Sequence, residues 1–232
     1  MNRRQLTAVL IVIASAVEAP WARHATDVQL RAHQATRVCF FDEGPKDPSF
    51  VQFRSRLMTA IKSRSRSQLS EMISSDLHVI DLDTRGMAAL DQAFDLRDPQ
   101  SEFWGEMESV LNLGGRMEKP GFFCAPFLSC LGAATADAMY VVILGSDVPA
   151  FDQPNESSSI VARLSCDVLR SASGDGFPEP PPMPEPGFEH VYLPSGRWAY
   201  VKESLTRSPA WYSAYFEKRR GKWLMVAFVA GD

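Results

Sequence analysis

Three stretches in the second half of the chain decide the fold: G-S-D-V-P-A-F-D-Q-P (residues 145–154), I-V-A-R-L-S-C-D-V-L (160–169) and H-V-Y-L-P-S-G-R-W-A-Y-V (190–201). Each contains a short apolar run, and turn-rich gaps separate the runs. Short apolar runs between turn signals are typical of β-strands. The last stretch closes with a Gly-Arg-x-x-Tyr-Val hairpin. The sequence therefore predicts a small β-structure here.

These runs and the closing hairpin resemble the bacterial SH3-like (SH3b) module. The resemblance covers about a quarter of the chain. It implies a small β-barrel over residues 141–202 that recognises surfaces and rarely does chemistry. The chain departs from the family at Pro149 and in the Pro-rich loop F-P-E-P-P-P-M-P-E-P-G (177–187), which favours an extended conformation. The ligands that the resemblance implies are peptidoglycan, a peptide or another envelope protein.

The N-terminus has the pattern of a secretory signal peptide. Two arginines precede an apolar stretch at residues 6–17, and residues 14–16 fit a small-x-small cleavage site. We expect residues 1–16 to be a signal peptide and residues 17–37 to be a flexible lead. A short anchor or a buried helix is the alternative. The expected location is periplasmic or secreted, with no stable membrane span after cleavage.

The charge balance bears on the class of partner. Charged residues make up 22% and hydrophobic residues 45% of the 232 residues, which are ordinary globular values. Cleavage after residue 16 leaves 22 basic and 28 acidic side chains. A negative net charge opposes nonspecific nucleic-acid binding, which depends on neutralising phosphates. We therefore expect peptidoglycan or an envelope protein or peptide as partner, and no nucleic acid.

Four cysteines remain after export, and an even number in an oxidising compartment permits two disulfides in three possible pairings. Cys124 and Cys130 enclose a short loop and are the favoured bridge. Cys39 and Cys166 would then join two distant segments. The alternative is that some are buried free thiols, Cys166 above all.

Helical patterns dominate the first half of the chain. Asp47-Pro48 is a good helix start, and an apolar stripe at helical spacing follows it. Asp98-Pro99 repeats this chemistry before a second apolar stripe, and Gly114-Gly115 stops that helix. The other predicted elements are strands at 37–41, 77–82 and 139–144, a helix at 67–74, and a segment at 87–94 that fits a helix or a strand.

The C-terminus predicts a hairpin with strands at 211–218 and 223–230 and the turn R-R-G-K between them. Its ending K-W-L-M-V-A-F-V-A-G-D resembles the last strand of cone-shaped nuclear-transport-factor-2-like domains. The expected fold class is α+β, in which helices and a curved antiparallel sheet are interrupted by the small SH3-like barrel. Residues 38–140 plus 203–232 are expected to form the split α+β domain, and residues 141–202 the barrel.

Catalytic signatures do not stand out in the sequence. The histidines are not spaced for a metal pair, and neither G-x-S-x-G nor a Gly-rich phosphate loop occurs. Cys166 and His190 fall in the same predicted barrel and are the one candidate nucleophile pair. The sequence thus favours a protein that is not an enzyme, and predicts no cofactor and no metal site.

The candidate ligand-binding residues are aromatic and acidic side chains of the SH3-like stretch. If the neighbouring Val and Leu residues fill the core, some of the aromatic rings are exposed. Tyr200 is favoured instead as a core aromatic, as it commonly is in the resembling family. The acids suit a basic peptide or an amino sugar, or are solvated turn positions. The candidates are Phe151, Tyr192, Trp198, Tyr200, Asp147 and Asp152.

Two other functions stay open. The α+β domain would hold a pocket for a small ligand, or a hydrolase site, if its aromatic residues lined a cone. Those residues are Trp104, Phe122, Phe127, Trp211 and Tyr215, and making up the core is their simpler role. A structural scaffold whose SH3-like insert packs on its host and binds nothing is the third possibility.

Overall fold

A computed structural model describes residues 36–79, 82–131, 139–172 and 186–230. The predicted signal peptide (1–16), the lead up to residue 35 and the Pro-rich loop up to residue 185 lie outside the described residues. Within the described ranges, no helix is both long enough and apolar enough to cross a membrane.

The fold is α+β, as the sequence predicts. The helices are α1 (Pro48–Lys62), α2 (Arg66–Ser70), α3 (Gly86–Phe94) and α4 (Glu102–Asn112). The strands are β1 (Thr36–Arg37), β2 (Ile73–His78), β3 (Arg116–Lys119), β4 (Phe122–Ala125), β5 (Tyr140–Ile143), β6 (Val148–Phe151), β7 (Ile160–Leu164), β8 (Asp167–Ser171), β9 (Phe188–Tyr192), β10 (Trp198–Lys202), β11 (Thr206–Arg207), β12 (Ser213–Arg219) and β13 (Lys222–Val229).

The strands form two sheets. A five-stranded sheet has the order β2-β13-β12-β4-β3, and β2 runs parallel to β13 while the other pairs are antiparallel. An eight-stranded sheet has the order β11-β5-β8-β9-β10-β6-β7, with β1 attached to β8, and its pairs are antiparallel. The strands of the five-stranded sheet come from both ends of the described chain. Most strands of the eight-stranded sheet lie between them in the sequence.

The helices cover one face of the five-stranded sheet. The Asp47 carboxylate caps α1 by accepting from the backbone N–H groups of Ser49 and Phe50. The predicted stripe of α1 is buried, with Phe50 packed against Phe123 at 4.1 Å between ring centroids. Residues of α3, α4, β12 and β13 complete this core. The cap and the stripe together orient α1 on the sheet.

Three predicted elements have different bounds in the structure, and the ambiguous fourth is assigned. The strand predicted at 77–82 lies at Ile73–His78, because its parallel pairing with β13 buries Ile73 and Leu77. The helix predicted at 67–74 correspondingly ends at Ser70. The strand predicted at 37–41 is confined to Thr36–Arg37. The ambiguous segment at 87–94 is helical.

The predicted C-terminal hairpin is present, although its first strand begins at Ser213 rather than residue 211. Arg219 pairs with Lys222, which leaves a two-residue turn at Arg220 and Gly221. Both turn residues have positive φ, 51° and 80°. Positive φ at both central positions defines the turn type whose twist matches that of a hairpin.

Both predicted disulfides are present, and the four cysteines are all bridged. One joins Cys124 to Cys130 beside β4. The other joins Cys39, which follows β1, to Cys166 in the turn before β8. Two covalent bridges are consistent with an oxidising, extracytoplasmic environment.

Residues 36–43, which we call the strap, connect the two sheets. The strap pairs with β8 and its Val38 N–H donates to the carbonyl of Cys166 at 2.7 Å. Further along, the Glu43 N–H donates to the Gly115 carbonyl at 2.9 Å, just before β3. A joint cluster of buried apolar side chains fills the space beside the strap: Val38, Phe127, Leu128 and Val142.

Gly114 ends α4 as predicted, with a φ of +67°. A Cβ atom there would lie 2.4 Å from the backbone carbonyl oxygen of Phe41 in the strap. We predict that Gly114→Ala lowers the free energy of unfolding by about 1–3 kcal/mol, through backbone strain and that clash. Urea unfolding followed by circular dichroism measures it.

Gly105→Ala is the matched control, because Gly105 lies inside α4 and a Cβ there meets nothing within 4 Å. This variant should gain up to about 1 kcal/mol from helix propensity. Equal effects of the two substitutions would contradict the close approach of the strap at Gly114.

The two disulfides should differ in their effect on stability. The Cys39–Cys166 bridge spans 127 residues and the Cys124–Cys130 bridge spans 6. In the chain-entropy treatment, removing the first costs about 5 kcal/mol and removing the second about 2 kcal/mol. Urea unfolding of the two double Cys→Ala variants should show this order, and the reverse order would contradict it.

Candidate functional site

The aromatic candidates from the sequence lie together on one face of the eight-stranded sheet. Trp198 pairs with Tyr192, and Tyr200 pairs with His190 on one side and with Phe151 on the other. Residues directly opposite one another on antiparallel strands share a face. We call this surface, formed by these five residues, the aromatic face.

The opposite face of the same strands carries the core. Val191, Ala199 and Val201 alternate with the residues of the aromatic face and are fully buried in an apolar cluster with Leu164 and Leu169. Because side chains of a strand alternate between its two faces, burial of this set turns the aromatic rings away from the cluster. Aliphatic and aromatic side chains thus divide cleanly between the two faces.

Edge-to-face contacts hold the rings in place. The rings of Tyr192 and Trp198 meet at 5.1 Å between centroids, and those of His190 and Tyr200 at 4.1 Å. The Tyr192 hydroxyl donates to the Gly196 carbonyl at 3.2 Å. Tyr192, Trp198 and Tyr200 are half-buried, whereas His190 and Phe151 are buried. Tyr200, which the sequence favoured as a core residue, therefore lies on the face opposite the core cluster.

The two acidic candidates lie in different places. Asp152 follows Phe151 directly and forms an ion pair with Arg197, the residue before Trp198, so this pair borders the aromatic face. Asp147 lies at the other end of β6, where its Oδ2 is 3.2 Å from a nitrogen of Arg163. Asp147 is therefore separated from the aromatic rings. Both ion pairs are exposed to solvent.

Glu189 lies between Phe188 and His190 on β9, and its pairing with Val201 places its side chain on the face opposite the aromatic rings. Burial raises the pKa of the Glu189 carboxyl. The Ser171 hydroxyl, which donates to it at 2.6 Å, opposes this, and the nearby Glu203 carboxylate reinforces it. The proton on this carboxyl is thus held more tightly in the folded state than in the unfolded state.

The candidate nucleophile pair of Cys166 and His190 is ruled out. Cys166 is bonded to Cys39, so it has no thiol to ionise. His190 is buried within the aromatic face, against Tyr200. Among the described residues, moreover, no group of three or more His, Cys, Asp or Glu side chains is arranged to hold a metal ion.

The aromatic cone of the α+β part is not assembled. Trp104 and Phe127 are buried in different clusters, so they are core residues. Phe122 and Tyr215 contact one another at 6.2 Å on neighbouring strands. Trp211 is 44% exposed and lies elsewhere, over the guanidinium of Arg207. These five residues therefore do not converge on one pocket.

Three residues that lie in or beside the aromatic face were not among the binding candidates from the sequence. Phe188 contacts Phe151 at 6.3 Å, and Arg170 pairs with Tyr192 from β8. His190 was not among the candidate ligand-binding residues. The period-two pattern of β9 already carried the signal for two of them, because Phe188 and His190 share the parity of Tyr192.

No protein-family model matches this chain, and no curated protein matches it. The arrangement of the residues is therefore the basis for any functional argument.

We predict that Glu189→Gln stabilises the protein at neutral pH. The amide keeps an acceptor for Ser171 and removes the cost of ionising a buried carboxyl. Because the folded pKa lies above the ordinary value of 4.5, wild type should lose stability relative to the variant as the pH rises through the folded pKa. Urea unfolding at a series of pH values measures the difference.

Glu118→Gln serves as the control, since Glu118 is exposed on β3. It measures the effect of replacing a surface Glu by Gln, against which the effect of Glu189→Gln is compared at each pH. A Glu189→Gln variant that behaves like this control would show that burial of the carboxyl is energetically unimportant.

Proposed function

We propose that this chain is an exported, non-enzymatic binding protein of the cell envelope and that its aromatic face binds peptidoglycan. The C–H faces of sugar rings and the side chains of short peptides pack well on half-exposed aromatic rings. The proposal places the protein in the periplasm or outside the cell.

One observation carries the proposal: Tyr192, Trp198 and Tyr200 are partly exposed on the sheet face opposite the apolar cluster of Val191, Ala199 and Val201. A Trp and two Tyr side chains on neighbouring strands form a rigid platform, because each ring has few rotatable bonds and contacts its neighbour. Such residues are enriched at the energetic centres of binding surfaces. The Asp152–Arg197 pair at the border offers hydrogen-bond partners for hydroxyl and amide groups.

Two further features agree with an envelope location and a binding role. Both disulfides suit an oxidising compartment. The resemblance of residues 145–201 to SH3b modules points to recognition of the cell wall or of an envelope partner.

The test is co-sedimentation of residues 17–232 with purified peptidoglycan sacculi. Wild type should be retained, and Trp198→Ala should weaken retention by about tenfold or more, the effect of truncating a central aromatic contact. Quantifying the unbound protein over a range of sacculus concentrations gives the apparent affinity of each variant.

Phe40→Ala is the matched control, because Phe40 is 59% exposed and belongs to the strap rather than the aromatic face. It should bind as wild type does. Retention of neither wild type nor control would reject peptidoglycan as the ligand. Retention of wild type and Trp198→Ala alike would reject the aromatic face as the binding surface.

A further inference from the structure

A second concave site lies between α4 and β11, away from the aromatic face. It is a cleft of about 680 Å³, within the range of small-molecule sites. Its lining combines apolar side chains with polar ones, the latter including Ser109, Ser204, Thr206 and Asn112. Arg207 and Trp211 complete it.

The cleft contains a buried cation. The Arg207 side chain is 3% exposed. Its Nη1 donates to the Ser109 hydroxyl at 3.0 Å, and its Nη2 donates to the Tyr212 carbonyl at 3.0 Å. Its Nε is buried without a hydrogen-bond partner in the structure. A guanidinium has five N–H groups, so most of this donor capacity is unused.

The charge of Arg207 is also incompletely balanced. The Glu106 carboxylate approaches Nη2 only to 3.9 Å, which is beyond hydrogen-bond length, and its Oε2 is itself buried without a partner. Burial lowers the pKa of the Arg207 guanidinium, and the charge of Glu106 opposes that change without a direct bond. A buried cation with unmet donors is costly unless an anion or a polar ligand completes its shell.

Trp211 adds an apolar platform at the same place. Its ring lies over the guanidinium, with the Arg207 Cζ atom 5.3 Å from the ring centroid, and it is one of the few large apolar side chains in the described chain that are strongly exposed. An indole beside a guanidinium suits a ligand that has an anionic end next to an apolar or planar part.

We propose that this cleft binds a small carboxylate-bearing ligand of the amino-acid or short-peptide class. The carboxylate accepts from the free N–H groups of Arg207, in the paired geometry that guanidinium and carboxylate groups favour. The side chain next to the carboxylate packs on Trp211. The hydroxyl groups of Ser204 and Thr206 and the Glu203 carboxylate lie on the cleft wall to meet the amide groups of the ligand.

The choice of a carboxylate over a neutral sugar rests on Arg207. Hydroxyl groups would satisfy single donors but leave the buried positive charge balanced only by the Glu106 carboxylate at 3.9 Å. A carboxylate satisfies two donors and the charge at once. The inference does not depend on peptidoglycan binding at the aromatic face, since the two sites share none of the residues named for them.

The test uses N-acetyl-alanyl-alanine and its C-terminal amide as probes against residues 17–232. Calorimetric titration should show binding of the free acid, and binding of the amide weaker by about tenfold or more, as expected for loss of a charge-assisted hydrogen bond. In ¹H–¹⁵N spectra, the Nε–H signal of Arg207 should shift with the acid and stay in place with the amide.

Three variants sharpen the test. Trp211→Ala changes an exposed residue and should weaken binding of the acid while leaving the fold intact. Arg207→Met should abolish the preference for the free acid over the amide. If that variant does not fold, the test rests on the shift of the Arg207 Nε–H signal in wild type and on the affinity of Trp211→Ala for the acid. Trp198→Ala should bind the acid as wild type does, which separates this site from the aromatic face. Equal affinity for acid and amide, or binding of neither at millimolar concentration, would overturn the proposal.

Discussion

The whole structure depends on the close approach of three backbone segments at Gly114 and Gly115. A Cβ atom on Gly114 would meet the Phe41 carbonyl at 2.4 Å, and one on Gly115 would meet the Cys124 carbonyl at 2.1 Å. The end of α4 therefore passes between the strap and β4 with no room for side chains. This close approach lets the Gly115 N–H donate to the Phe41 carbonyl and the Gly115 carbonyl accept from the Glu43 N–H. These two hydrogen bonds fix the strap against the five-stranded sheet. The other end of the strap is fixed to the eight-stranded sheet by β1 and by the Cys39–Cys166 bridge.

The joint cluster owes its position to the same close approach. Phe127 and Leu128 follow β4 and lie within the small loop closed by the Cys124–Cys130 bridge. They pack with Val38 of the strap and Val142 of β5, so each sheet contributes to one apolar contact. Burying such side chains typically contributes about 1.5–3 kcal/mol each. Hydrogen bonds, a covalent bridge and apolar packing thus act together at this place.

A short piece of chain connects the two binding surfaces that we propose. β10 carries Trp198 and Tyr200 on the aromatic face. It leads through a 3-10 helical turn at Glu203–Leu205 directly into β11, whose last residue is Arg207. Sheet pairing of β10 with β9 and of β11 with β5 holds both ends of this piece. Side chains on both surfaces are therefore positioned by regular strands, which hold geometry better than free loops do.

Features that depend on local chemistry were predictable from the sequence. The Asp47 cap, the α1 and α4 stripes, the Gly114 stop and the Arg220-Gly221 turn each require only neighbouring residues. Parity along β9 and β10 predicted that some aromatic rings are exposed if the Val and Leu residues fill the core, but it was not enough to place Tyr200, which was expected in the core. Two other predictions failed. α4 begins at Glu102, after Ser101, rather than at Asp98-Pro99, and β2 is shifted to Ile73–His78 because it pairs in parallel with β13, about 150 residues later in the chain.

The cleft was hidden from the sequence for the same reason. Nothing in the local sequence of Arg207 indicates that α4 covers it, or that Glu106 stops short of a hydrogen bond. Trp211 was noted, but with aromatic residues that lie elsewhere in the fold. A buried, under-bonded arginine is a property of packing between distant segments, and only the folded chain displays it.

The two bridges are nested, with Cys124–Cys130 enclosed by Cys39–Cys166. A chain that enters an oxidising compartment N-terminus first presents Cys39 and Cys124 together before Cys166 arrives, and those two are not native partners. Correct oxidation therefore requires either that Cys39 stays reduced until the eight-stranded sheet is complete or that a disulfide isomerase exchanges an early wrong bridge. Oxidative refolding with and without an isomerase distinguishes the two routes by the yield of the native pairing. By either route, biogenesis of this protein depends on the thiol chemistry of the compartment that receives it.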